Sequence, residues 1–422
     1  MSDQDDLVRR STELTAKAST VFQPRTPINT RDLFAGRWAE LTEISDAVHQ
    51  PGLHVAIFGE RGVGKTSLSN VVSPTIWALD RVGLSEEQAE ALPERLVLKA
   101  VANSSDTFST IWVRLLAELR WPNPDTLTGG TVSTKTYFEL PDLLGIDEVR
   151  RVLQRIPGSV FIIDEFDQAR RVASKDFTEL IKALSDLVID CTIVLVGVSE
   201  TIQNLVADHA SIIRAVAQIG LKRMKPDELR MVLEKAERAL KIQFTQDASN
   251  LIVHVSQGLP HYTHLIGLHS VRSAAGRLSL SEVTRDDVFE AMQKAVKQAE
   301  QTITEKHSKA THSSQKNALY RRVLLACAVS ASKSHDALGY FNPSAVTEPL
   351  SKILARDVTI ATFTNHLREF CEEKRGLILE RDGEPWGYRY RFRDPLLVPF
   401  VFMDGVDAGL TTGRGLVEML SS

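Results

Sequence analysis

Short apolar runs alternate with amphipathic segments along the first half of the chain. The apolar runs are rich in β-branched residues, which predicts buried strands, and the segments between them carry apolar residues at helical spacing. Strands are predicted at 55–58, 96–102, 160–163, 192–197 and 218–221, and helices at 38–48, 107–119, 146–156, 175–188 and 200–207. This alternation predicts an α/β fold with a parallel, doubly wound sheet, whose ligand-binding loops follow the carboxyl ends of the strands.

Beyond residue 225 the pattern changes to helices and one hairpin. Segments 226–240 and 247–275 predict a small helical lid, and the polar stretch 297–317 predicts a linker or a solvated helix end. Further helices are predicted at 318–330, 343–354 and 359–374, followed by strands at 377–381 and 388–392. Asp382-Gly383 between the two strands is a hairpin signal. Three helices followed by a hairpin predict a winged helix.

These patterns divide the chain into five parts. We expect an N-terminal extension, an α/β core, a helical lid, a linker and a winged-helix domain, with the bounds 1–30, 31–224, 225–296, 297–317 and 318–422. A chain of 422 residues is too long for one ordinary core.

Composition narrows the class of protein and its expected cellular compartment. The hydrophobic share of 43% and the charged share of 25% are typical of a globular protein. No apolar run approaches the ~20 residues of a membrane span, and the N-terminus lacks the apolar core of a signal peptide. Three widely spaced cysteines form neither a metal motif nor a disulfide framework. We therefore expect a cytoplasmic protein without a membrane partner.

The chemistry of the core centres on a glycine-rich loop that follows the strand 55–58 and precedes helix-forming residues. The loop has the spacing G-x-x-x-x-G-K-T, from Gly59 to Thr66. Glycine torsions turn successive N–H groups into one concavity for phosphate oxygens, and the next helix points its positive dipole end at the same anion. In this loop Lys65 would reach the β- and γ-phosphates of ATP, and Thr66 would ligate Mg²⁺. The predicted nucleotide-binding residues are Gly59, Glu60, Arg61, Gly62, Val63, Gly64, Lys65, Thr66 and Ser67.

An acidic pair completes the predicted site. The apolar strand 160–163 ends in Asp164 and Glu165, about 100 residues after the glycine-rich loop. At the carboxyl end of a neighbouring strand, Asp164 would hold Mg²⁺ through water, and Glu165 would polarise the attacking water. Ser199 ends the strand 192–197 and would lie between the two acids and the γ-phosphate.

Two arginines and four histidines have more than one explanation. Arg214 precedes the last strand and is placed to face the γ-phosphate of a neighbouring subunit, with a surface arginine as the alternative. Arg37 precedes the helix 38–48, which can form the wall of an adenine pocket or serve as an ordinary capping helix. The histidines at 254, 261, 264 and 269 share no register with an acid or a cysteine, so no metal site is predicted there.

Over about residues 32–402 the motifs resemble AAA+ ATPases of the origin-recognition/Cdc6-like and STAND-like bacterial group. LFAGR at 33–37 is similar to the FVGR entry motif of that group, GERGVGKTSL matches Walker A, and FIIDEFD resembles Walker B. The resemblance implies that Ser199 is sensor 1 and Arg214 an arginine finger. It also implies that Pro260 and His261 belong to the sensor-2 segment, where His261 stands near the position of the group's arginine. Slow, Mg²⁺-dependent ATP hydrolysis is expected unless the chain assembles or meets a partner.

The functional hypotheses differ in what the predicted winged helix would bind. Residues 318–422 contain thirteen Lys and Arg and thirteen Asp and Glu, and the whole chain has a net charge of −4. Arg389, Arg391 and Arg393 alternate onto one strand face, which is either a basic stripe for DNA or a solvated face. One hypothesis is an ATP-dependent signalling switch, for instance in phage defence, that self-assembles or contacts a partner protein. The other is a DNA-binding initiator, loader or transposition-type regulator. A nucleotide binder without turnover is a third, which the Asp164-Glu165 pair argues against.

Overall fold

Two units make up the structure, a computed structural model that describes residues 3–82, 84–92, 95–123, 130–169, 171–197, 212–315, 318–333, 339–384 and 387–421. The first, here named the α/β unit, consists of Pro27–Glu60 and Gly64–Lys222. The second, the helical unit, consists of Met1–Thr26, Arg61–Val63 and Arg223–Ser422. No helix in the described part of the chain is both long and apolar enough to cross a lipid bilayer.

The α/β unit is built on a five-stranded parallel sheet. Its strands are β1 (His54–Gly59), β2 (Val97–Val101), β5 (Ser159–Asp164), β6 (Cys191–Gly197) and β7 (Val216–Leu221), in the spatial order β2-β5-β6-β1-β7. The strands β3 (Arg120–Pro122) and β4 (Thr131–Ser133) form a separate antiparallel ribbon. Every residue of β5 and β6 is buried, as expected for inner strands covered on both faces. The predicted parallel α/β sheet is confirmed.

Helices flank these strands in chain order. They are α2 (Trp38–Val48), α3 (Lys65–Leu79), α4 (Glu86–Ala91), α5 (Phe108–Ala117), α6 (Thr134–Tyr137), α7 (Ile146–Leu153) and α8 (Arg171–Asp186). Phe108 and Trp112 on α5 contact Phe177 on α8, and Trp112 lies 5.2 Å from Phe161 of the sheet between ring centroids. Burying one such ring contributes about 1.5–3 kcal/mol, so this cluster fixes both helices on the sheet. The helix predicted at 200–207 lies outside the described residues.

Strand order decides which loops meet. β6 lies between β5 and β1, and their registers pair Ile163 with Leu195 and Val55 with Val194. The loop after β1 and the acids at the end of β5 therefore flank the carboxyl end of the same strand, β6. Since ligands bind at the carboxyl ends of parallel strands where the connections diverge, this edge of the sheet is the expected site.

The helical unit begins with α1 (Asp3–Val21) and continues after residue 223. Its helices are α9 (Pro226–Leu240), α10 (Gln246–Ser256), α11 (Pro260–Gly276), α12 (Arg285–Lys297), α13 (Gln301–Thr311), α14 (Tyr320–Ser332), α15 (Pro343–Leu354), α16 (Thr364–Phe370), α17 (Leu397–Asp407) and α18 (Gly413–Ser421). β8 (Gln243–Phe244) and β9 (Glu282–Val283) form a short parallel pair, and β10 (Leu379–Asp382) and β11 (Arg389–Phe392) form an antiparallel hairpin. α1 packs against α11, and α14 packs against α15 and α17.

Two segments of the helical unit differ from the sequence analysis. Residues 301–311, expected in a polar linker or solvated helix end, form the helix α13, in which Ile303, His307 and Ala310 are buried. One of these three is a histidine, so the apolar spacing that marks a buried helix face is incomplete. The predicted helix 359–374 is also shorter. Only Thr364–Phe370 is α-helical, with 3₁₀ turns at Ile360–Thr362 and Glu373–Arg375.

Candidate functional site

The glycine-rich loop begins where β1 ends. Gly59 pairs with Leu221 of β7, and a Cβ at Gly59 would lie 2.4 Å from the Leu221 carbonyl oxygen. Gly64 has a φ of +97° and is the N-cap of α3, which starts at Lys65. A glycine is therefore required at both positions, by close backbone approach at Gly59 and by left-handed torsion at Gly64. The first turn of α3 presents its amide groups to the loop, an arrangement that suits an anion.

Lys65 lies inside this loop. Its Nζ donates hydrogen bonds to the carbonyl oxygens of Gly59 and Glu60, both at 2.8 Å. Burial lowers the pKa of Lys65, and the carboxylate of Asp167 opposes this more than that of any other acid. An ammonium held among backbone carbonyls and carboxylates is suited to bind phosphate oxygens.

Thr66 and Asp164 meet as the sequence predicts. The Thr66 hydroxyl donates to Asp164 Oδ1 at 3.5 Å, and the Glu165 N–H donates to the same oxygen at 2.9 Å. Asp164 is 2% exposed. A hydroxyl and a carboxylate are hard oxygen ligands, which Mg²⁺ prefers, so these two residues fit a Mg²⁺ ion.

Lys99 is a further member of the site that the sequence analysis did not identify. Its Nζ lies 2.8 Å from Asp164 Oδ2. Lys99 is a charged residue within the apolar run LVLKAVA at 96–102. Only Leu98 and Ala100 of this strand are buried, and Lys99 is half-buried. A half-buried lysine in an apolar run commonly pairs with an acid, so this signal was available, but the sequence did not say which acid it pairs with.

Glu165 and Asp167 follow Asp164 on a tight turn. Glu165 has φ 51° and ψ 37°, and its carbonyl accepts a hydrogen bond from the Gln168 N–H at 2.8 Å. The turn leaves Glu165 exposed, while the next residue, Phe166, is fully buried. Left-handed backbone at a non-glycine residue costs about 1–2 kcal/mol, and the buried Phe166 side chain offsets this cost. Asp167 lies against Gly197 at the end of β6, so the motif FIIDEFD supplies a third carboxylate, which the sequence analysis did not single out.

Ser67 and Arg37 have structural partners in the α/β unit. The Ser67 hydroxyl accepts a hydrogen bond from the Ile28 N–H at 3.1 Å. Arg37 is 6% exposed, forms an ion pair with Glu40 at 3.0 Å and donates to the carbonyl oxygen of Lys222. Because Lys222 follows the residue paired with Gly59, Arg37 ties the segment before α2 to the strand edge where the loop begins.

Arg214 lies at the opposite end of the sheet from the loop. It is exposed at the end of a 3₁₀ turn, Ile212–Arg214, and precedes β7, where Val216 pairs with His54. The loop begins at Gly59, five residues further along β1, so the strand length separates the two by about 17 Å. This geometry rules out contact between Arg214 and the glycine-rich loop of the same chain. Ser199 lies outside the described residues.

The remaining predicted site residues belong to the helical unit. Pro260 is the first residue of α11, a position that proline favours. His261 Nδ1 donates to the Pro24 carbonyl oxygen at 2.6 Å, and burial lowers its pKa. A neutral imidazole at His261 does not supply the positive charge of an arginine. Arg61 forms ion pairs with Glu300 at 2.7 Å and Asp394 at 3.5 Å, and Val63 is buried.

Two arginines of the hairpin β10–β11 are paired with acids, unlike those of the basic stripe considered for DNA. Arg389 forms an ion pair with Asp382 at 2.8 Å, and Arg391 pairs with Glu380 across the hairpin. Both guanidinium groups also lie near the Tyr340 ring, 5.0 and 4.8 Å from its centroid. Arg389 and Arg391 do share a face, as the strand alternation predicts, but the opposite strand neutralises them.

Comparisons with known proteins agree with this fold. The family model described as novel STAND NTPase 1 matches residues 26–335. The Walker-type ATPase PABY2304 of Pyrococcus abyssi is 16% identical with a TM-score of 0.51, and the match covers 90% of this chain and 99% of that chain. At this identity the likeness shows the fold alone, and it confirms the P-loop NTPase fold.

Other solved structures resemble the chain more weakly. The Aeropyrum pernix ORC1 protein in complex with DNA is 16% identical with a TM-score of 0.46, over 93% of this chain and 97% of that chain. Cdc6 from Pyrobaculum aerophilum is 14% identical with a TM-score of 0.46, over 95% and 98%. A search of curated protein sequences finds no significant match.

Proposed function

Because the chain belongs to the novel STAND NTPase 1 family, we propose that it is an AAA+/STAND-like molecular switch that binds and hydrolyses ATP. One observation carries the proposal: Lys65 lies inside the glycine-rich loop while the Thr66 hydroxyl meets the buried Asp164 carboxylate at 3.5 Å. A phosphate-binding cation and a pair of hard oxygen ligands are the parts that nucleotide hydrolysis requires.

The proposed roles follow from these positions. The loop amides and the N-terminus of α3 would bind the phosphates, and Lys65 would hold their β- and γ-oxygens. Thr66 and Asp164 would hold Mg²⁺, which supplies charge neutralisation when bound. Glu165 is exposed on its turn, so its carboxylate would be free to orient a water molecule for attack. The role of Ser199 as a contact to the γ-phosphate stays a prediction from the sequence.

Turnover would depend on assembly. Arg214 is exposed and lies far from the loop of its own copy, so we propose that it serves the site of a neighbouring copy as an arginine finger. Such a residue can be worth roughly 10³–10⁵ in rate. A single copy would then bind ATP and hydrolyse it slowly, and nucleotide state would be coupled to self-assembly or to a partner protein.

We propose that α14, α15, α16 and the hairpin β10–β11 form a winged helix that reports the nucleotide state. The ion pairs of Arg389 with Asp382 and of Arg391 with Glu380 favour a partner protein over DNA, since paired arginines release fewer counterions from phosphates. A protein-facing output fits a signalling role, such as phage defence. A DNA-binding initiator, loader or transposition-type regulator is the competing function.

One experiment tests both points. The ATPase rate per copy of the protein would be measured against protein concentration, with and without double-stranded DNA, at two salt concentrations. If the rate per copy rises with protein concentration and does not change with DNA, the switch with Arg214 acting between copies is supported. Stimulation by DNA that salt removes would favour the DNA-associated function. A preparation that shows no hydrolysis at any concentration, with or without DNA, would contradict the proposed enzyme.

A further inference from the structure

The ammonium group of Lys99 is held by three side chains of the α/β unit. Its Nζ lies 2.8 Å from Asp164 Oδ2, donates to Ser69 Oγ at 2.8 Å and donates to Asn70 Oδ1 at 2.6 Å. Ser69 and Asn70 belong to α3, the helix that starts at the glycine-rich loop. Two hydrogen bonds to α3 and one ion pair to β5 therefore hold the Lys99 ammonium beside Asp164.

Asp164 needs a countercharge because it is removed from water. Its side chain is 3% exposed and that of Lys99 is 25% exposed. An ionised carboxylate buried to this extent is costly unless a cation and hydrogen bonds compensate it. Oδ1 receives the hydrogen bonds from Thr66 and Glu165, whereas Oδ2 is the oxygen that faces the lysine. Oδ1 thus faces the glycine-rich loop, and Oδ2 faces the ammonium group of Lys99.

We propose that Lys99 is a permanent counter-cation of Asp164 and sets how strongly nucleotide binding depends on Mg²⁺. This inference rests on the proposed function, and it concerns regulation of the same site. Lys99 cancels most of the Asp164 charge, so phosphates can bind beside this carboxylate with little repulsion when Mg²⁺ is scarce. The same positive charge weakens the attraction between Asp164 and Mg²⁺, and nucleotide affinity therefore gains less from the metal.

Lys99 acts through Asp164 and is a positioning residue. The competing explanation is purely structural, because the contacts to Ser69 and Asn70 also tie β2 to α3. Loss of a structural tie would weaken nucleotide binding equally with and without Mg²⁺. Loss of the counter-cation would instead weaken binding without Mg²⁺ and preserve or strengthen binding with it. The ratio of the two dissociation constants therefore separates the two roles.

The test uses the full-length chain and a fluorescent ATP analogue, titrated in excess Mg²⁺ and in EDTA at mildly alkaline pH. The measured quantity is the dissociation constant in EDTA divided by that in Mg²⁺. For Lys99→Met we expect this ratio to rise by about tenfold, which is about a third of the free energy that Coulomb's law gives for unit charges about 4 Å apart at an effective dielectric constant of ~20. Lys99→Arg keeps the positive charge, so its ratio should stay close to that of the wild type. Lys175→Met, which removes an exposed lysine of α8, is the matched control.

Each outcome decides the matter. A ratio for Lys99→Met equal to that of the wild type overturns the inference, even if both affinities fall. If circular dichroism shows that Lys99→Met does not fold, Lys99→Gln removes the same charge while keeping a donor toward Ser69, and the same comparison applies. If wild-type protein binds no nucleotide in either condition, the proposed function itself fails. Binding by the wild type with an unchanged ratio in the variants overturns only the role of Lys99.

Discussion

Asp404 provides a sharp test of how the helical unit is held together. It lies on α17 with its side chain 6% exposed and receives two hydrogen bonds from the Arg321 guanidinium of α14, one of them at 2.7 Å. His307 Nε2 of α13 lies 3.2 Å from the same carboxylate. Three helices therefore converge on one buried acid, so its loss should loosen all three.

The size of the effect follows from the pKa of Asp404. Burial acts to raise this pKa, but the hydrogen bonds from Arg321 and the nearby His307 imidazole outweigh it and lower the pKa to about 2, from the ordinary 3.8. This difference corresponds to about 2 kcal/mol of folding free energy. Because the pKa is lowered, the stabilisation is fully present above about pH 4 and is lost as the pH falls toward 2. Asp404→Asn should therefore lower the free energy of unfolding at pH 7 by about 2 kcal/mol.

Urea denaturation of the full chain at pH 7, followed by circular dichroism, measures this loss. Hydrogen exchange of the peptide that spans α17 localises the loss to the helical unit. Asp407→Asn, at an exposed position of the same helix, is the matched control and should change the free energy of unfolding by no more than about 0.5 kcal/mol. Equal losses for Asp404→Asn and Asp407→Asn would refute the reasoning.

Three further predictions concern the nucleotide site. Lys65→Ala should weaken ATP binding by about 10- to 100-fold, because the phosphates lose a charged hydrogen-bond donor; isothermal titration calorimetry measures this, and wild-type affinity would contradict it. Glu165→Gln should bind ATP normally and hydrolyse it about 10²- to 10⁴-fold more slowly in a phosphate-release assay, whereas normal turnover would remove Glu165 from the mechanism. Arg214→Ala should bind ATP yet lose about 10³-fold in rate, and adding Lys65→Ala copies should restore turnover, since these keep Arg214. If mixing restores no activity, Arg214 does not act between copies.

Much of the fold could be predicted because local pattern and tertiary environment agree. The apolar runs at 160–163 and 192–197 are fully buried strands, as their composition indicates. The meeting of Thr66 with Asp164 could also be predicted, since parallel strands bring their carboxyl ends to one edge. α13 was different. Its buried face includes His307, whose partner Asp404 lies almost 100 residues away, and no local pattern reports such a pairing.

The sequence by itself determined the strand, the glycine-rich loop and the helix from 54 to 79, and the acids that end β5, because backbone torsion, strand burial and helix dipoles act over a few residues. Tertiary structure decided which charged side chains pair with one another. Lys99 is assigned to Asp164 only when β2 and β5 pair, and Arg389 and Arg391 are neutralised only when the hairpin closes in its observed register. Arg214 is separated from its own loop only because β7 runs parallel to β1. Electrostatic interactions depend on distances in space, and those are set by the pairing of segments far apart in the chain.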